Sequence, residues 1–237
     1  MEPYRWLEAV RHRREYIEDQ IREATPVFAA SRPEGILLLG VGLGQSKVFE
    51  IFDRHGMAAL GNPVDIEKLR QTAIEAAHLE SFNRSPDDVA LRRLISYALS
   101  TALKNSFEQI YSPPLMVDSV FAEVGQTSED DTIFTLNYDG DFQRQRGGIA
   151  VISQNKQAGE NARGWIEKNL GADDPQERAI RVLLTAWQAM VKSSEFDDAL
   201  KVVAGIDEID LDGKQVEAAL LDRNGDERVK YQSLEVG

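Results

Sequence analysis

The chain has 237 residues, 42% of them hydrophobic, which is enough to bury one substantial core, and no Pro/Ser-rich linker separates a second. Its 27 basic against 40 acidic residues leave a formal net charge of -13, which repels phosphate backbones and anionic membrane surfaces and argues against nucleic acid or a membrane as partner. Cysteine is absent, which excludes disulfides, thiolate metal sites and a Cys nucleophile and suits a reducing cytoplasm, while no apolar run approaches the roughly 20 residues of a membrane span.

The first 24 residues are charged rather than basic-then-apolar, so they do not read as a secretory signal. From Glu2 to Ala24, Leu7, Val10, Ile17 and Ile21 fall on one face at helical spacing, with Arg11, Arg13, Glu15, Glu18 and Glu23 around the remainder. The spacing predicts an amphipathic helix with one stripe to bury. Trp6 extends that stripe. Short apolar runs at Pro26–Ser31, Gly35–Val41, Lys47–Phe52 and Met57–Leu60, with the turn Arg32-Pro33-Glu34 between the first two, predict four strands.

Between Asp65 and Ser81 the apolar residues Ile66, Leu69, Ala73, Ala76 and Ala77 switch to helical period, and a second helical run extends from Val89 to Phe107. Ser85-Pro86-Asp87-Asp88 supplies a helix start between them. After Pro113-Pro114 the chain returns to strand character at Leu115–Val124, Thr132–Tyr138 and Gly148–Ser153, with the turn Asp139-Gly140 closing the middle run. Helices are predicted at Ala158–Leu170 and Pro175–Lys192. A closing hairpin then joins Val216–Leu221 to Val229–Tyr231 through Arg223-Asn224-Gly225-Asp226. Strands grouped in blocks between helix pairs predict an α+β fold, a four-layer alpha/beta/beta/alpha sandwich with mainly antiparallel sheets and an N-terminal helix.

This order resembles the proteasome subunit family, whose fold is that of the N-terminal nucleophile hydrolases. Gly35-Ile36-Leu37-Leu38-Leu39-Gly40 is similar to its second strand. Lys47 to Gly61 resembles the family segment in which a lysine opens a strand and an acidic turn leads to a small-residue strand ending in glycine. Phe134 to Gly140 is similar to the strand closed by an aspartate-glycine turn, and Val216 to Asp222 to the penultimate strand. The resemblance implies a helical extension over residues 1–24 and a sandwich domain over 25–237.

Catalytic beta-type members use an N-terminal threonine whose own amine is the base. Thr25 aligns there, so a self-processing threonine peptidase is the alternative reading. Three departures oppose it. Val41 replaces the acidic residue of the second strand, Pro26 follows Thr25, and Ser153-Gln154-Asn155-Lys156 stands where a serine-glycine loop belongs. The resemblance therefore implies a non-catalytic alpha-type subunit, and the charged first helix resembles bacterial, actinobacterial-type alpha subunits. Such a subunit forms a heptameric outer ring on catalytic beta-type subunits, gates the passage of unfolded proteins and docks a hexameric ATPase activator. With only Met1, Glu2 and Pro3 ahead of the helix, the segment available to close the pore is short.

On that resemblance Lys47 lines an inter-subunit pocket and meets the C-terminal carboxylate of an activator tail, where a flexible point charge at an apolar seam suits the task. Gly61 borders the same pocket. A strand-start lysine in water and an ordinary turn glycine are the bland alternatives. The stripe Trp6, Leu7, Val10, Ile17 and Ile21 has little of its own domain to cover and is expected to be a ring contact. No cofactor or metal is expected. His12, His55 and His78 have no ligand spacing and read as solvated or capping residues, and Asp207 to Gly213 lacks the spacing of a calcium loop. Gly40-Val41-Gly42-Leu43-Gly44 follows an apolar strand, but its third glycine falls too early for a dinucleotide loop, and Gln45-Ser46 leads into another strand rather than a helix.

Overall fold

The computed structural model describes residues 3–193, 195–203, 209–225 and 228–236. Helix α1 (Pro3–Gln20) leads into β1 (Val27–Arg32), β2 (Gly35–Gly42), β3 (Val48–Phe52) and β4 (His55–Gly61). Helix α2 (Pro63–Asn83) starts where the Asn62 side chain accepts from the Val64 amide at 3.0 Å and Pro63 presets the first turn. Helix α3 covers 91–108, its α-helical ends Leu91–Arg93 and Ser100–Glu108 flanking a π-helical segment Leu94–Leu99. The start predicted at Ser85-Pro86 is instead an isolated 3-10 turn, Pro86–Asp88.

Strands β5 (Val117–Glu123), β6 (Thr132–Leu136), β7 (Phe142–Arg144) and β8 (Ile149–Ile152) follow. Helices α4 (Lys156–Asn169), α5 (Gln176–Lys192) and α6 (Phe196–Val203) precede the hairpin of β9 (Gln215–Asp222) and β10 (Tyr231–Leu234). Part of the predicted closing turn, Asp226, lies outside the described residues.

Two antiparallel five-stranded sheets, ordered β10-β9-β2-β1-β8 and β3-β4-β5-β6-β7, form the middle layers. Alternation along β1 and β2 explains how both faces of the first sheet are buried. Phe28, Leu37 and Leu39 point to one cluster with Ile166, Leu183 and Trp187 of α4 and α5. Ala29, Ile36 and Leu38 point the other way, to Ala58, Leu60 and Val120 of the second sheet. The outer face of that sheet, through Met57, Phe121 and Phe134, packs on Leu69 and Ala73 of α2 and Leu99 of α3. The layers are therefore helix, sheet, sheet, helix. A strand buried on both faces reads as a continuous apolar run, which is why Gly35 to Val41 has no polar interruption. Each of its leucines contributes about 1.5–3 kcal/mol by leaving water.

Candidate functional site

At the end of β2, cross-strand pairing sets Val27, Gly40 and Glu217 side by side. The Glu217 side chain reaches over glycine to the start of β3, where its Oε2 accepts from the Lys47 amide at 2.7 Å and the Val48 amide at 3.2 Å. The stem of Lys47 lies on the glycines of β2. A Cβ on Gly40 would stand 2.9 Å from the Lys47 Cβ, and one on Gly42 3.1 Å from its Cε. These glycines, which follow an apolar strand as in a dinucleotide loop, instead seat a lysine. The Lys47 ammonium donates to the Thr25 carbonyl oxygen at 3.1 Å. Burial pushes it down to about 8, with the Glu217 carboxylate acting in the opposite direction. An ammonium carries three donors, and among the described residues only one of them is used.

Thr25 itself is held rather than poised. Its Oγ1 donates to the Val41 carbonyl, and its nitrogen lies in the peptide bond after Ala24, whose own amide donates to Ile21 O at 3.0 Å. An N-terminal nucleophile needs a free amine as its base. Helix α1 is fastened down just ahead of it. Ile17 and Ile21 are 0% and 2% exposed between the sheets, and Val10 packs beside them half-buried. This corrects the expectation that the stripe has little of its own domain to cover: Ile17 and Ile21 are core residues of this chain. Near the start of the helix, Trp6 at 38% and Leu7 at 64% exposure leave apolar surface uncovered.

Three polar ties add to that packing. Arg13, expected among the solvent-facing charges, is buried, and its guanidinium donates to the carbonyls of Ser106 and Ser112 at 2.8 Å and of Ile110 at 3.4 Å. It thereby satisfies one open carbonyl in the last turn of α3, that of Ser106, and two in the segment that follows the helix. Arg14 pairs with Asp139 at 2.9 Å and lies over the rings of Phe107 and Tyr138. The Tyr138 hydroxyl donates to Glu18 at 2.9 Å. Burial and the Glu18 carboxylate raise the Tyr138 phenol above its ordinary range. The signal for Arg13 was present in the sequence: positions 10, 13, 17 and 21 share one helix face, so a charge there is a buried charge needing partners.

Between α1 and the sandwich lies a cleft of about 480 Å³ bordered by Arg14, Glu18, Asp118, Tyr138, Gln154 and Lys156. Asp118 was not anticipated. It is 9% exposed, accepts from the Tyr138 amide at 3.0 Å, and burial raises its carboxyl to about 6.

Residues 42–203 match the family described as proteasome subunit. The proteasome subunit alpha of Actinosynnema mirum is 31% identical over 182 residues, covering 76% of this chain and 67% of that protein. The chain belongs to the proteasome subunit family, on its alpha side. The alpha subunit of a Parafrankia species is 29% identical over 225 residues, covering 93% and 86% of the two chains, and that of Streptomyces coelicolor 28% over 229 residues, covering 96% and 83%.

In this proteasome subunit Lys47 and Gly61 lie near the same end of the second sheet. The Lys47 carbonyl accepts from the Ala59 amide at 2.9 Å, and Gly61 follows two residues along β4. Gly61 also has a local reason to be glycine: its φ is +129°, and a Cβ there would sit 2.1 Å from the Met116 carbonyl oxygen. His12 and His78 are exposed, but His55 is not the solvated or capping residue expected. It is 1% exposed, packed near Phe52 with Nε2 3.7 Å from Glu123. Among the described residues no group of three or more His, Cys, Asp or Glu is placed to hold a metal. Asp207 and Glu208 of the acidic segment lie outside the described residues. No described helix is long and apolar enough to cross a membrane.

Proposed function

We propose that this alpha-type subunit works without catalysing peptide cleavage, as one member of a heptameric outer ring that caps rings of catalytic beta-type subunits in the cytoplasm. The helical extension 1–24 lies at the entrance, and its exposed Trp6 and Leu7 meet the neighbouring copy. Unfolded chains are admitted through the axial opening. Lys47, with Gly61 beyond it on the same sheet end, contributes to a pocket between neighbouring copies that receives the terminal carboxylate of a hexameric ATPase, a role which the two unused donors of the ammonium favour.

The observation that carries this reading is the anchorage of α1. Arg13, Arg14, Glu18, Ile17 and Ile21 bind the extension across the mouth of the sandwich, and Thr25 spends its hydroxyl proton on Val41. A propeptide destined for removal has no need of a buried arginine capping a helix 93 residues away. The peptidase alternative through Thr25 requires release of that helix.

Native mass spectrometry of the chain, alone and with a beta-type subunit from the same organism, tests both. The expected result is an intact chain that forms rings and supports peptidase activity only with its partner. A chain beginning at Thr25 that cleaves peptides by itself overturns the reading.

A further inference from the structure

Arginines elsewhere on this chain pair with carboxylates, among them Arg14, Arg54, Arg93 and Arg223. Arg92, Arg144 and Arg146 form no ion pair among the described residues, although the chain carries an excess of acid. All three are exposed and converge on a cleft of about 410 Å³ whose remaining lining is Thr132, Phe134 and Phe142. The two phenylalanine rings stand 6.0 Å apart, edge to face, as an apolar floor. Acidic groups on this side do not neutralise the rim. Asp131 is held by Arg223 at 2.8 Å, and the exposed Glu129, which shares the lining of the neighbouring hollow with Arg144 and Arg146, forms no ion pair with either.

The cleft adjoins an open sheet edge. Strand β7 pairs with β6 alone, in the register Phe134↔Arg144 and Leu136↔Phe142. The Gln145 amide donates to Ile133 O and the Asn137 amide to Asp141 O, both at 2.9 Å. In an antiparallel ladder this leaves the main-chain groups of the alternate residues, Phe142 and Arg144, directed to the free edge. Short charged edges also guard against aggregation. That account covers Arg144 but not Arg92, which belongs to helix α3 and closes the cleft from the other side.

We propose that this edge binds an extended, carboxylate-rich segment of a partner protein, which adds as a strand along Phe142–Arg144 and places its acidic side chains on Arg92, Arg144 and Arg146. Main-chain pairing supplies the direction, guanidinium–carboxylate pairs the selection, and an apolar side chain between the acids covers the phenylalanine floor. The site goes beyond the activator-tail reading and does not depend on it, since Lys47 adjoins β3, at the opposite edge of the same sheet.

Fluorescence anisotropy with labelled peptides of alternating glutamate and valine, about eight residues long to span the edge, tests the proposal on the full-length assembled protein. The glutamate peptide is expected to bind, to weaken with salt, and to lose about tenfold or more in affinity against R144E/R146E and against R92E. A lysine-valine peptide is expected not to bind. Absence of binding below about 1 mM, or equal binding to the arginine variants, overturns the proposal. So does a change in ring mass for R144E/R146E, which makes the edge a contact between copies. A failure of K47M to alter activator docking overturns only the Lys47 reading and leaves the peptide measurement standing.

Discussion

Lys47 reaches the main-chain carbonyl of Thr25, not its hydroxyl: the ammonium donates at 3.1 Å to the oxygen, while the Thr25 Oγ1 donates away to Val41. The cation therefore does nothing to activate the hydroxyl. It is instead fixed at the chain's turn into β1, with two donors unused among the described residues.

Thr25→Ala should leave the peptidase activity of an assembled particle unchanged, because the hydroxyl serves only the Val41 carbonyl. Loss of that hydrogen bond is expected to lower stability by about 1 kcal/mol, read as a shift in urea midpoint. A particle that becomes inactive on this single substitution, with its rings intact by native mass, makes Thr25 the nucleophile.

For Lys47 the sign of the pH effect can be worked out. Its folded pKa, about 8, lies below the unfolded value of about 10.4. Between those limits the unfolded chain holds more protons, so this group makes stability rise with pH over that window. Docking runs the other way, since a tail carboxylate needs the ammonium, and binding is expected to weaken as pH rises through about 8. K47M should abolish stimulation by an activator and remove both pH effects while leaving ring mass unchanged. K47R should keep its charge across the window and lose the pH dependence, though the glycine seat fits an unbranched stem better.

The layers and most helices were legible because each face repeats: Leu37 and Leu39 outward, Ile36 and Leu38 inward, and Ile66, Leu69, Ala73 and Ala77 at helical period. Strand β7 was not, since three residues, Phe142–Arg144, are too few for an alternation to register. Helix α6 carries its buried residues at Phe196, Ala199 and Val203, but one short stretch directly after α5 offers no boundary signal. The last strand pairs from Tyr231 to Leu234, although the local apolar run had pointed to Val229–Tyr231; register against Ala218–Leu221 decided it. The motif around Lys47 singled that residue out in the sequence. Its partner Glu217 was not legible there, being 170 positions away, and the same distance problem hid the function of Arg13.

Arg13→Ala should separate anchorage of α1 from everything else. The Ser106 carbonyl of α3 and the Ile110 and Ser112 carbonyls of the segment after it would lose a charged donor. The expected cost is about 2–3 kcal/mol, with faster proteolysis within residues 1–24 than in the sandwich. Lysine has one point charge for three dispersed acceptors, so R13K should recover only part of the loss. Equal melting of wild type and R13A, with α1 equally protected, would show that packing of Ile17 and Ile21 alone holds the helix.

Asp118 gives the opposite sign from most carboxylates. Burial raises its folded pKa to about 6, against the lowering influence of the Tyr138 amide, Gln154 and Lys156, while Asp139 adds to the rise. The unfolded value is about 3.9. Between these the folded chain holds a proton that the unfolded chain has lost, so stability falls as pH climbs from about 4 to 6 and the full cost of ionisation is present at pH 7. Asp118→Asn keeps an acceptor for the Tyr138 amide, which lies 3.0 Å from Oδ1, and removes the charge. Gln154 approaches the other oxygen at 3.4 Å and must turn its amide to meet the new NH2 group. The substitution is therefore expected to stabilise the protein at pH 7 by about 1–2 kcal/mol, less than the roughly 3 kcal/mol that a shift of two units sets as a ceiling. At pH 4, where the carboxyl is already neutral in the folded state, the gain should vanish. Urea titrations of both proteins at the two pH values measure it. A D118N variant that is less stable at pH 7 than at pH 4, relative to wild type, would mean that the ionised carboxylate is a net asset, held by Lys156 across the cleft.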